Sequence, residues 1–178
     1  MLNFTRFAAF SILALCFSRF SLGSDWEYHQ FADEKYMMSF PTTPKTIMQK
    51  TPDGIDFPVL MCNRNSAALG VSWKPISKYR EQTPTSRSLA KDMLNSLKSN
   101  FKKYDLLYVN PITYAGWVGA DLGASVVAKD AETRLYYRQR FISTETHLIQ
   151  IIYIDSTRMP LEPWVGDIFY NSLTTVDE

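Results

Sequence analysis

The chain is poor in the residues that usually announce chemistry. Two cysteines and two histidines in 178 residues exclude a disulfide-stapled scaffold and leave too few soft ligands for a structural zinc site. Excess charge of either sign is also lacking: 19 Lys and Arg face 18 Asp and Glu, a formal charge of +1. No overall field therefore draws the chain to nucleic acid or to an acidic membrane. Seven glycines and nine prolines beside 46% hydrophobic residues are not the composition of a collagen-like, low-complexity or disordered chain. The sequence contains no Gly-x-Ser-x-Gly turn, no P-loop, no Gly-x-Gly-x-x-Gly and no calcium loop, each of which carries a recognisable chemistry.

Long apolar runs are scarce too, and the one at the start is short. Phe7 to Phe17 follows the single charge of Arg6 and ends at Arg19, before Ser21-Leu22-Gly23. A charged start, a short apolar stretch and small residues at the third and first positions before a cut describe a secretory leader. Only twelve residues separate Arg6 from Arg19, whereas a spanning helix needs about 20. We therefore expect residues 1–23 to be a signal peptide cleaved after Gly23, with residues 24–178 a single exported domain, periplasmic or secreted, that keeps no stable membrane span. Acylation of Cys16 is the weaker reading, because Leu15 sits where a lipobox has a small residue.

Cleavage removes Arg6, Arg19 and Cys16 but no acid, so the mature charge becomes −1 and Cys62 is left as the sole thiol. One cysteine cannot form an internal disulfide. In the apolar run Phe57 to Cys62 it reads as a small buried hydrophobe. The domain must then rest on its core alone.

Past Ser24, prolines and glycines mark turns, and the segments between them are rich in β-branched and aromatic residues. Strands are expected over Lys35–Phe40, Lys45–Lys50, Asp56–Asn63, Ala67–Pro75, Tyr104–Val109, Leu122–Lys129, Thr133–Ile142 and His147–Ile154. The last is apolar on both faces and belongs in mid-sheet. A helix is expected over Ser86–Phe101, where Leu89, Met93, Leu94, Leu97 and Phe101 form one stripe. Ser86 or Ser88 would cap its start, and Lys98, Lys102 and Lys103 suit its negative end. A second helix should begin near Pro160 to Pro163 and turn Trp164, Ile168, Phe169 and Leu173 to the sheet. The expected fold class is α+β, an antiparallel β-sheet with helices packed on both faces.

The order of these pieces resembles a known family. Trp26 followed by Tyr36-Met37-Met38-Ser39-Phe40-Pro41-Thr42-Thr43-Pro44 is similar to the opening of secreted bacterial proteins with the Mog1/PsbP-like fold. Gly116-Trp117-Val118-Gly119-Ala120-Asp121 resembles that family's mid-chain strand entrance, and Arg134 to Tyr137 with Leu148 to Ile152 its penultimate hairpin. Ile168 to Leu173 resembles its closing helix, with Leu173 in place of the last aromatic. The resemblance implies an α/β/α sandwich and mostly non-enzymatic work with differing partners. It carries no shared site, because a fold does not fix a function.

Candidate chemistry is thin. A hydrolytic triad needs a base, and His29 and His147 are the only imidazoles. His147 opens a core strand and reads as structural. His29, with Tyr28, Asp33 and Glu34 near it, reads as a solvated loop residue, since a metal site takes three or four ligands. Gly116, Gly119 and Gly123 are expected to serve a turn and close packing, and Asp33-Glu34 and Asp130-Glu132 to lie in polar turns. No catalytic, cofactor or metal residue is assigned, and the chain is not expected to be an enzyme.

One pattern stands out. Arg134, Tyr136, Arg138 and Arg140 fall on one face of a strand. Such a row either pairs with acids on neighbouring strands or receives an anionic ligand or acidic partner. The expected role is an exported, non-catalytic envelope protein that binds an unidentified protein partner, in the envelope or outside the cell. The alternative is a small-ligand carrier with a pocket between sheet and helix.

Overall fold

The computed structural model describes residues 26–50, 54, 56–76, 84–129, 132–156 and 163–176. The expected leader, its cut after Gly23, Asp130 and the Pro160 helix start lie outside these residues. The elements in chain order are β1 (Glu27–Phe31), β2 (Tyr36–Phe40), β3 (Lys45–Lys50), β4 (Asp56–Arg64), β5 (Ala67–Pro75), α1 (Ser86–Asn100), β6 (Phe101–Tyr114), β7 (Trp117–Ala128), β8 (Arg134–Ser143), β9 (His147–Asp155), α2 (Pro163–Asn171) and β10 (Thr174–Thr175).

The strands form a seven-stranded sheet in the order β3-β4-β5-β9-β8-β7-β6 and a three-stranded sheet in the order β1-β2-β10. Neighbours are antiparallel throughout. β9 is the middle strand of the larger sheet. Its residues from His147 to Tyr153 are all buried, as two-sided apolar patterning requires.

Successive residues of a strand point to opposite faces, and each face of β9 enters its own core. Leu148 and Ile152 join Leu89, Ala90, Met93 and Leu97 of α1 with Ala120, Leu122, Ala124 and Val126 of β7. Ile149, Ile151 and Tyr153 join Phe31, Tyr36, Met38 and Phe40 of the small sheet and Val165, Phe169 and Tyr170 of α2. The second layer is therefore no lone helix, as one helix per face would have it. β1, β2 and β10 make a small sheet there, and α2 lies nearest to β2. That sheet was illegible because β10 is two residues long and reaches Met37 from Thr174.

α1 begins at Ser86 as expected, but its cap is the residue before, not Ser86 or Ser88. Thr85 is the N-cap, its side chain accepting from the Ser88 amide at 3.1 Å while Ser88 Oγ accepts from the Thr85 amide at 3.0 Å. This reciprocal pair satisfies two amides that a helix start leaves open. The helix stops at Asn100, so Phe101, Lys102 and Lys103 belong to β6. β6 runs on through Pro111, which marks no turn. Pro111 is tolerated because β6 is an edge strand. The turn comes at Ala115 and Gly116, both at positive φ, 50° and 83°, the second a conformation glycine adopts without cost. On α2, Val165, Phe169 and Tyr170 are buried with Leu173 beyond its end, but Ile168 is 41% exposed and does not face the sheet. The position of Trp164's side chain lies outside the described residues.

Candidate functional site

Strand β7 builds the site by alternation. Ala120, Leu122, Ala124 and Val126 enter the α1 core, which turns Asp121, Gly123 and Ser125 to the other face. The register sets Asp121 opposite Arg140, Gly123 opposite Arg138 and Ser125 opposite Tyr136 on β8, and Asn110 and Tyr108 on β6 beside them. An open groove of about 460 Å³ lies over these residues, lined by Tyr108, Asn110, Asp121, Tyr136, Arg138, Tyr153 and by Gly166 and Asp167 of α2.

Gly123 shapes its floor. A Cβ there would stand 2.3 Å from Tyr108 Cε1, so only glycine lets the Tyr108 ring lie across the strand. Burial, and then the field of Asp121, pushes the Tyr108 hydroxyl well above its ordinary pKa, and it stays protonated and able to donate.

The predicted row does not act as one surface. Arg138 and Tyr136 line the groove. Arg140 turns inward, 8% exposed, where Nη1 donates to the Tyr170 carbonyl at 2.9 Å and Nη2 to Asp121 Oδ2 at 2.9 Å. Arg138, 17% exposed, donates from Nη2 to the same Oδ2 at 3.1 Å and from Nη1 to Asp167 Oδ1 at 2.7 Å. Its guanidinium also lies 4.2 Å from the centre of the Tyr170 ring, a favourable cation–π distance. Arg134 sits apart, paired with Asp105 of β6, beside the exposed Lys102–Glu132 pair. Pairing with acids on neighbouring elements is thus what these arginines do within the chain, and the row is not a solvent-facing strip.

Asp121 carries the polar centre. Its side chain is 9% exposed, one oxygen accepts from two guanidiniums, and among the described residues Oδ1 has no hydrogen-bond partner, nor have Nε of Arg138 and Nε of Arg140. Sequence reading passed over Asp121, Tyr108, Asn110, Tyr153 and Asp167. The signal for Asp121 was there: an acid between alternating apolar residues of a strand must face away from them.

The histidines divide. His147 is buried, its Nδ1 2.9 Å from Thr146 Oγ1, its ring edge-on to Tyr36. Burial, then Lys35, lowers its pKa. His29 is no loop residue: it lies on β1, half-buried against Phe40. Cys62 is buried in the core with its thiol pushed up to about 11, chiefly by burial. Among the described residues no group of three His, Cys, Asp or Glu could hold a metal, and no helix is long and apolar enough to cross a membrane.

Neither a family model nor a curated protein matches the chain. Solved structures do. The solution structure of cyanobacterial PsbP (CyanoP) from Synechocystis sp. PCC 6803 superposes with a TM-score of 0.61 at 15% identity, covering 89% of this chain and 98% of that one. The fold is PsbP-like. A Pseudomonas aeruginosa protein of unknown function, PA94, also matches, with a TM-score of 0.52 at 13% identity over 88% of this chain and 100% of that one. At such identities the PsbP-like likeness speaks for architecture alone.

Proposed function

We propose that this PsbP-like chain is an exported, non-catalytic module of a bacterial envelope that works by surface contact, offering the groove between β6–β9 and α2 to a protein partner. The observation that supports this most is the groove floor, where Arg138, Tyr108 and Tyr136 line the groove and Arg138 is held by the buried Asp121. Bidentate guanidinium and amphipathic rings are what contact surfaces are built from. The leader-like residues 1–23 support export. We read α2, together with the small sheet, as the cover of the face opposite α1, which gives the groove its second wall.

A photo-crosslinker at Tyr136 in the native envelope tests the reading. One reproducible partner is expected, lost in Arg138→Gln and absent when the crosslinker stands at the exposed Met48 of β3. Capture unaffected by Arg138→Gln, or equal at both positions, sinks it. Arg140 is too buried to serve in such a test.

A small-ligand carrier is the second reading, and the groove's volume favours it, since about 460 Å³ falls in the range of ligand pockets. A thermal-shift screen separates the two: stabilisation by a small molecule, lost in Arg138→Gln, selects the carrier.

A further inference from the structure

Beneath the groove two guanidiniums share one buried carboxylate, and a second buried carboxylate, Asp155, accepts from the hydroxyl of groove-lining Tyr153 at 3.1 Å. Arg138 and Arg140 both donate to Asp121 Oδ2, and one carboxylate neutralises one of them. The charge left over at Arg138 is met from outside by Asp167, whose side chain is 65% exposed while that of Arg138 is 17% exposed. Water and salt screen the exposed carboxylate of Asp167, so it is held there only weakly. A second carboxylate arriving in the groove would therefore exchange like for like at Nη1. Asp167 would return to water at small cost, and the newcomer would add contacts with Tyr108, Tyr136 and Tyr153. A cation meets Arg138 head-on. A dianion meets the buried Asp121 carboxylate directly beneath. The planar fork of Arg138 selects a carboxylate.

We propose that Asp167 is a built-in stand-in: the groove takes a single carboxylate on Arg138, and Asp167 is the competitor it displaces. The carboxylate has two possible sources, a glutamate, aspartate or C-terminus of a partner chain, or a small organic acid. The proposal rests on the reading of this groove as a contact site, and it fails separately from it.

The test titrates the purified protein, by calorimetry and by NMR of the arginine side chains, with N-acetylglutamate amide and with a glutamate-bearing hexapeptide. The glutamine counterpart of each is the control. Asp167→Asn should tighten binding of the acids by about fivefold, the fold-change of roughly 1 kcal/mol for an exposed pair. Arg138→Gln should abolish it, Arg138→Lys should weaken it while keeping the charge, and the glutamine probes should not bind. Asp167 is exposed, so its variant should melt like the parent, and Arg138→Lys keeps the test readable should Arg138→Gln unfold. A peptide much tighter than the amino acid points to a partner chain, and equal affinity to a carried acid; both support the stand-in. Asp167→Asn binding no tighter than the parent, with Arg138→Gln still abolishing binding, overturns the stand-in and leaves the groove as a contact site. No binding of either acid to the parent or to Asp167→Asn overturns it as well, while the Tyr136 crosslink decides the contact site independently.

Discussion

The two faces of β7 set neighbouring residues to opposite tasks. On one, Ala120, Leu122, Ala124 and Val126 meet Leu89, Met93 and Leu97 in a cluster with no exposed members. On the other, Asp121, Gly123 and Ser125 face arginines, tyrosines and an open groove. The first face obtains its stability from apolar area removed from water, which is non-directional and tolerant of rearrangement. The second depends on fixed geometry, because a buried charge is tolerable only while its partners stay in place. A strand that is core on one side can thus hold a polar site rigid on the other.

Three adjacent substitutions and one distant one can break or sharpen that contrast. Asp121→Ala strands Arg140 without its carboxylate, and a buried ion pair broken on one side costs about 3–5 kcal/mol; urea denaturation measures it. Leu122→Ala, one residue on, should cost about 2–5 kcal/mol through the cavity it leaves, yet keep the pattern of Arg138 and Arg140 side-chain NMR signals. If Leu122→Ala disturbs those signals as much as Asp121→Ala, the two faces are not separate. Gly123→Ala forces the Tyr108 ring off the strand, and overpacking of this kind costs about 1–3 kcal/mol. The ring lies on an edge strand and can swing outward, so the larger sign should be a shift of the Tyr108 ring resonances. Arg134→Gln removes an exposed pair, and its effect should stay within about 0.5 kcal/mol. A larger loss would tie the Asp105 end of the row to the buried Asp121 centre.

How much of this could be read beforehand follows the range of the forces involved. Strand positions from Lys45 to Pro75 and the central place of His147 to Ile154 were legible because burial writes a local period into the sequence. The PsbP-like order of elements was legible only through the resemblance of short motifs, Tyr36 to Pro44 and Ile168 to Leu173 among them, to a known family. β1 was not, since Glu27, Tyr28 and Gln30 are exposed and pattern weakly. The early end of α1 was hidden because Phe101 continues the helical stripe while its backbone turns extended. In the site, Arg138 and Tyr136 were found from alternation within one strand. Asp167 was out of reach, because its pairing with Arg138 depends on where α2 crosses the sheet. Arg140's burial was missed for a like reason: an arginine goes inside only where a distant carboxylate waits for it.

The strand pairings have one more consequence. β5 lies against β9 along its whole length, Ala67 opposite Asp155 and Pro75 opposite His147, and β2 is bordered by β10 at the other end of the chain. The joining of the two halves of the larger sheet and the last strand of the smaller one therefore wait on late-made residues, and contacts so distant in sequence form slowly. A nascent polypeptide lacking its last third would present β5 as an open edge, ready to recruit a stray strand.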